Sequence, residues 1–405
     1  MKLIPKKPLF AVLALSWVTY VTAYLCRVNL STVLDKLSSQ LEVSMEFLGT
    51  ASSIYFVTYA AGQLLNGIIG DRVNPHRFIM LALTATGSIN LILGFQTSAA
   101  LFPLLWGLNG FCQSMFWSTL LRLLSCYAEE HQRKTVSTLM SISSVTGYLF
   151  SWVVLSWLFT PFGFTPYFVV PGVLAAALIP LWLLLSRKVP FSPEQDNRPP
   201  TPPLVVVGRE FLHDRLYFIC LLCMVIGAIQ EGAVFWLPMV FKDVLKLGDG
   251  SMLLLASIPF AKLAGVFLAR AVLVHTGDNP RKSILITLSA SCAITVVLLL
   301  TCRSTSVVTV LLIACLIAVI NASNWYVISY LPLYFSSRNI VATLGGAFDF
   351  STYIGAAVMS GPLGGALLTY GWVALPVVWL VLAASALALA LGGAGTCISY
   401  RGQRR

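Results

Sequence analysis

Apolar runs of about 20 residues, separated by short polar connections, recur from one end of the chain to the other. As a helix, such a run spans a hydrocarbon layer of about 30 Å. Helices are required, because backbone groups in lipid must bond internally and the runs are too long for barrel strands. The pattern predicts spans over 9–34, 47–69, 78–95, 101–127, 135–159 and 166–186, then over 216–241, 251–274, 283–302, 307–334, 340–369 and 372–396. Between the two sets, 187–215 carries prolines at 190, 193, 199, 200, 202 and 203 together with dense charge, and reads as a solvated linker. The expectation is an all-α membrane protein of 12 transmembrane helices in two six-helix halves: an N-terminal bundle over 1–186, a linker over 187–215 and a C-terminal bundle over 216–405.

Composition narrows this further. Hydrophobic residues make up 58% of the chain and charged residues 10%, where an ordinary soluble domain has about 25% charged. The net charge of +11 is dispersed between apolar runs rather than gathered on one solvated face, which argues against a nucleic-acid partner. Most of the 9 cysteines fall inside apolar runs and have no metal-ligand spacing, so they read as small buried side chains. His76, His131, His213 and His275 are all expected in polar connections, which leaves no histidine for a proton relay in the membrane. Lys2, Lys6 and Lys7 precede an apolar stretch with no small-residue cleavage site, so that stretch is expected as a retained first helix rather than a signal peptide. With both termini cytoplasmic, 18 of the 26 lysines and arginines fall on the cytoplasmic side, 4 on the opposite side and 4 within spans. That bias predicts the orientation, and a multi-pass location in a cytoplasmic (inner) membrane.

The charges inside apolar runs are the candidates for chemistry. An arginine at the centre of a bilayer helix costs about 2.5–3.5 kcal/mol on insertion scales, so Arg27 is a functional candidate by default. Tyr20, Tyr24, Arg27 and Ser31 follow helical spacing and share one face. That face reads as the polar wall of a cavity, where a planar guanidinium matches a carboxylate or phosphate. The alternative is that Arg27 bonds backbone carbonyls or snorkels outward. Glu231, Lys262 and Asp349 also lie in apolar segments. Glu231 and Lys262 form a structural ion pair in one reading. In the other, Lys262 is a cationic substrate contact, and Glu231 or Asp349 takes up a coupling proton. Arg122 and Arg270 read as snorkelling or gate-bracing residues. Asn321, Ser323, Asn324, Trp325, Tyr326 and Tyr330, with Gln63, Gln113, Trp117 and Trp236, are further candidates to line a cavity.

The turn after the second span reads Asn66-Gly67-Ile68-Ile69-Gly70-Asp71-Arg72-Val73-Asn74-Pro75-His76-Arg77, with Gly62 one helical turn earlier. With the two-half architecture, it resembles the Gly-x-x-x-Asp-Arg signature of the major facilitator superfamily. In that family the halves are parallel repeats that rock about a midplane site. The resemblance implies a gate motif of Gly67, Asp71, Arg72 and Arg77: glycine lets helices approach closely, and the charges bond across a cytoplasmic gate. Tyr24-Leu25-Cys26-Arg27-Val28-Asn29-Leu30-Ser31 resembles the first span of two groups in that family. One is the organophosphate:phosphate antiporters, which include glycerol-3-phosphate and hexose-phosphate carriers; the other is the carboxylate symporters related to sialin and hexuronate carriers. Asn109-Gly110-Phe111-Cys112-Gln113 and the glycines from Gly345-Gly346 to Gly364-Gly365 extend the likeness to the antiporters.

The likeness implies a secondary transporter of a small organic anion, exchanged with phosphate or coupled to protons, with no cofactor, no metal and a monomeric functional unit. Its departures are specific. Where the antiporters place a basic residue after the first-span arginine, an arginine in span seven and a histidine in span five, this chain has Val28, Gln230 and Ser143. Gln230, Lys262, Asn324 and Tyr326 are therefore the substrate-binding candidates in the second half. A membrane sensor of such an anion, or an exporter of other small solutes, are the rival readings. An enzyme is not expected, since the chain has no phosphate loop, metal-ligand spacing or nucleophile set.

Overall fold

The protein, as a computed structural model, is described over residues 7–96, 98–189, 191, 211–213, 215–233, 251–301, 307–334, 341–360, 373–394 and 398. All regular structure among the described residues is helical. The chain divides into two compact units: residues 1–201 with 332–350, and residues 202–331 with 351–405.

The first unit holds α1 (Lys7–Thr32), α2 (Leu34–Leu41), α3 (Met45–Gly70), α4 (Pro75–Phe95) and α5 (Phe102–Tyr127). Then come α6 (Arg133–Leu149), which runs through a π-helical turn at Phe150–Leu155 into α7 (Ser156–Phe159), and α8 (Thr165–Lys188). The second unit holds α9 (Tyr217–Gly227), extended by a π-helical turn at Ala228–Ala233, then α10 (Ser251–His275) and α11 (Pro280–Thr301). After α12 (Val307–Asn324), a π-helical turn at Trp325–Tyr330 leads into α13 (Leu331–Tyr334), which groups with the first unit from Pro332 on. The first half of α14 (Val341–Ser360) groups with the first unit and the remainder with the second, which α15 (Ala374–Leu391) completes.

Local chemistry explains the boundaries. The Ser44 hydroxyl accepts from the Phe47 amide and starts α3. The Asn74 side chain accepts from the His76 and Arg77 amides, and Pro75 supplies a pre-set first helical residue, so α4 begins three residues ahead of the predicted 78. This corrects the expectation for one histidine. His76 is not in a polar connection but in the first turn of α4, buried, with its ring 5.6 Å from that of Trp182. Among the described residues, seven helical stretches are long and apolar enough to cross a membrane: 9–32, 75–95, 165–188, 257–275, 280–301, 308–333 and 374–391. Residues 234–241 and 361–369 of the predicted spans, most of the linker, and Trp236, Gly364 and Gly365 lie outside the described residues.

Large apolar side chains such as Phe10 and Leu300 are 77% and 80% exposed, as a lipid-facing surface permits and a water-facing one does not favour. Inside, the packing follows one scheme twice. In the first unit α3 packs along α5, α4 along α8 and α5, and α1 against α8. In the second, α10 packs along α12, α11 along α15 and α12, and α9 against α15. Counted in order of predicted spans, each contact in the first set recurs six spans later. The repeat is thus carried by packing where side-chain identity barely shows it.

Candidate functional site

The first unit builds its charged site on α1. Asn109 Nδ2 donates to the Cys26 carbonyl at 2.9 Å, beside Arg27. Two residues on, Asn29 Nδ2 donates to Asn90 Oδ1 at 2.9 Å and to the Tyr167 carbonyl at 3.1 Å. Asn90 Nδ2 donates to Asn109 Oδ1 at 3.2 Å and to the Thr86 carbonyl at 2.9 Å. All three asparagines are fully buried. Buried amides of this kind hold a unique geometry only when their partners are in place, and here they fix the Arg27 turn of α1 against α4, α5 and α8.

Arg27 itself is buried, with its guanidinium carbon 4.4 Å from the Tyr59 ring centre, 5.2 Å from Tyr24 and 5.9 Å from Tyr55. Those distances let the negative ring faces attract the cation. Tyr24 and Tyr20 are buried neighbours, their rings 5.1 Å apart, and the Tyr20 ring lies 4.8 Å from that of Trp117 on α5. Ser31 differs from these: it is exposed, and its hydroxyl donates to the Val28 carbonyl at 2.6 Å. Gln63 Nε2 donates to Tyr59 Oη and to Asp349 Oδ2, each at 2.6 Å, which places a carboxylate beside the aromatic set. Asp349 is buried. The sequence reading missed Tyr55 and Tyr59. Their signal was present as Tyr55, Tyr59, Gln63 and Asn66, a polar stripe at helical spacing on α3.

At the end of α3, the buried Asp71 carboxylate accepts from the Ala342 amide at 3.1 Å, the Thr343 amide at 2.6 Å and the Thr343 hydroxyl at 2.5 Å. Arg122 Nε lies 3.7 Å from the same carboxylate. Arg122 also donates to the Gly70 carbonyl, and to the Val73 carbonyl at 2.8 Å, so it braces this turn. Burial pushes the Asp71 carboxyl above its usual range, and the Thr343 hydroxyl and amide, Arg122 and the Ala342 amide pull it back. A Cβ on Gly67 would sit 2.7 Å from the Ala342 carbonyl oxygen, so only glycine permits this approach of α3 to α14. Arg72 and Arg77 are exposed, and Arg72 donates to the Ile68 carbonyl at 2.8 Å.

In the second unit the structure brings Lys262 and Glu231 together, Nζ to Oε1 at 2.9 Å, with side chains 7% and 15% exposed. Asn321 Nδ2 donates to the Lys262 carbonyl at 2.7 Å, and its Oδ1 accepts from Gln230 Nε2 at 2.8 Å. Gln230 and Glu231 both lie in the π-helical turn after α9, a backbone form frequent at functional sites. Asn324 is half-buried, and the Tyr326 hydroxyl donates to the Ala269 carbonyl at 2.8 Å. Arg270 is exposed.

Comparison with known proteins adds the following. The family described as Major Facilitator Superfamily matches residues 16–358. A "Probable hexose phosphate transport protein" of Chlamydia pneumoniae is 27% identical over 184 residues, which are 45% of this chain and 40% of that protein. "Membrane sensor protein UhpC" of Escherichia coli (strain K12) is 30% identical over 117 residues, 29% of this chain and 27% of that one. "Sugar phosphate exchanger 3" of Homo sapiens is 27% identical over 107 residues, 25% of this chain and 22% of that one. The matched stretches thus cover less than half of these curated relatives.

Proposed function

We propose that this chain, which belongs to the major facilitator superfamily, is a secondary transporter of a small organic anion of the phosphorylated-sugar or sugar-acid type, working by alternating access. The observation that carries this reading is the buried Arg27, held over Tyr59, Tyr24 and Tyr55 on a helix turn fixed by three asparagines. A buried guanidinium lined by aromatic faces is a planar cation whose geometry matches a phosphate or carboxylate. A phosphate or carboxylate entering the site gains charge-assisted hydrogen bonds that strengthen as water leaves.

The similarity to a hexose phosphate transport protein and a sugar phosphate exchanger supports the phosphorylated-sugar class, and phosphate is the exchanged ion proposed with it. Asp349, beside Gln63 and Tyr59, is the proposed place for a proton where coupling is to protons. Glu231 and Lys262 are proposed as an ion pair of the second unit, and Gly67, Asp71, Arg72 and Arg77 as the gate motif. The membrane proposed is the cytoplasmic (inner) one, with both termini in the cytoplasm. A second reading, a membrane sensor of such an anion, is favoured by the similarity to UhpC.

The test is uptake into proteoliposomes preloaded with phosphate, using labelled glucose 6-phosphate and labelled phosphate. Parent protein is expected to exchange both, and Arg27→Ala to reach the membrane at parental level and exchange neither. Full exchange by Arg27→Ala removes Arg27 from recognition. Saturable binding by the parent with no flux favours the sensor.

A further inference from the structure

Around Arg27 nearly every buried amide is committed inside the protein. Gln63 Nε2 serves Tyr59 and Asp349, Asn66 Nδ2 serves the Phe111 carbonyl and the Ser114 hydroxyl, and Asn109 Nδ2 serves the Cys26 carbonyl. On the packed pair α3 and α5 the donors left uncommitted include three on large side chains. Tyr55 Oη, Gln113 Nε2 and Trp117 Nε1 are each buried and find no acceptor among the described residues. Their residues are 2%, 3% and 4% exposed. Buried polar groups in native proteins are almost always satisfied, so an unsatisfied one calls for a reason.

Their positions supply one. The Tyr55 ring centre is 5.9 Å from the Arg27 guanidinium carbon. The Trp117 ring is 4.8 Å from Tyr20, which is 5.1 Å from Tyr24, a ring that itself lies under Arg27. Gln113 lies one turn before Trp117 on the same face of α5. An indole N–H donates only, and an amide nitrogen donates only. These groups therefore suit acceptor oxygens on a neutral part of a ligand, where Arg27 suits its charge.

We propose that Tyr55, Gln113 and Trp117 form a donor subsite that reads the hydroxyl-bearing part of the substrate, so that the Arg27 site selects a polyhydroxylated anion over a bare one. This rests on Arg27 being the anion contact. A site built to hydrogen-bond a substrate hydroxyl discriminates strongly, because a substrate lacking it leaves the site's buried donors unpaired.

The experiment compares KM for glucose 6-phosphate and for inorganic phosphate in proteoliposomes carrying the parent, Tyr55→Phe, Gln113→Met or Trp117→Phe. Each variant removes a donor at near-constant volume. KM for glucose 6-phosphate is expected to rise about tenfold more than KM for phosphate in Gln113→Met and Trp117→Phe. Tyr55→Phe is expected to shift the ratio in the same direction. Both constants moving in step, or neither moving, overturns the subsite and leaves the Arg27 reading intact. A parent that exchanges phosphate but never glucose 6-phosphate does the same. A parent that exchanges neither anion overturns the anion reading, and the subsite with it.

Discussion

Replacing Thr343 by valine keeps the side-chain shape and deletes one donor to a buried carboxylate. The hydroxyl lies 2.5 Å from Asp71 Oδ2, and the Asp71 side chain is fully buried. A hydrogen bond to a charged group contributes about 1.5–3 kcal/mol. The low end applies, since the Thr343 and Ala342 amides and Arg122 remain. For a domain of this size a loss of about 1.5 kcal/mol lowers Tm by roughly 3–6 °C. The pH dependence has a definite sign. Burial already holds the Asp71 carboxyl above its usual value, and the Thr343 hydroxyl is the first of the groups that lower it. Without it the carboxyl rises further, so the native state of the variant takes up its proton at higher pH. A native carboxyl raised in this way gives stability at low pH that is lost as pH climbs through its folded value. The Tm deficit of Thr343→Val is therefore largest at neutral pH and narrows as pH falls through the carboxylate range. The assay is thermal unfolding of purified protein from neutral to mildly acidic pH, repeated in an Asp71→Asn background. There the same substitution should cost less by about 0.5 kcal/mol or more, the mark of coupled neighbours. Equal deficits in both backgrounds, or a deficit unchanged with pH, refute the reasoning.

Gly67→Ala puts a methyl 2.7 Å from the Ala342 carbonyl and 3.0 Å from Gly346 Cα, both backbone atoms. It should destabilise by about 1–3 kcal/mol, whereas Gly70→Ala, whose Cβ would meet the Thr119 hydroxyl at 3.2 Å, should melt close to the parent. Lys262→Met leaves Glu231 without its 2.9 Å partner. Breaking such a pair costs about 3–5 kcal/mol when both groups are buried, and somewhat less for these partly buried ones. The double variant Lys262→Met/Glu231→Gln should recover most of the lost Tm, and recovery of transport as well would make the pair structural. A normal melt with abolished transport in Lys262→Met would instead make Lys262 a substrate contact.

The helices were legible because bilayer thickness sets a length and apolar runs report it. The predicted starts at 101 and 135 fall beside the observed Phe102 and Arg133. Ends governed by capping were read less well. Counting from the first apolar residue missed Pro75–Arg77, since helix α4 is started by the Asn74 side chain rather than by hydropathy. His76 was misplaced for the same reason: in sequence it stands between a turn and an arginine, but the helix has already begun and Trp182 covers it. Gln230 and Glu231 were legible as polar residues in an apolar segment, while their π-helical backbone was not, because insertion of one residue into a helical ladder leaves no compositional mark.

The charged site divides along similar lines. Arg27 stands out from one helix alone, since its cost in lipid is a property of the residue. Its surroundings do not, because Tyr55 and Tyr59 on α3 look like packing aromatics until the fold sets them 5.9 and 4.4 Å from the guanidinium. The asparagine set is harder still. Asn29, Asn90 and Asn109 lie on three different helices, and no spacing rule connects them. Yet they settle why the cation stays where it is. An arginine on an unanchored helix can lower its cost by sliding or turning towards water. The Cys26 carbonyl is held by Asn109, and the Asn29 amide is shared between Asn90 and the Tyr167 carbonyl. A shift of α1 by even one residue would therefore break bonds on both sides of Arg27 and leave several buried amides unpaired, each at about 1–3 kcal/mol. That total exceeds the roughly 2.5–3.5 kcal/mol that outward movement of the arginine would relieve on insertion scales. The buried position of the cation is thus supported by the neutral amides that fix its helix turn on both sides.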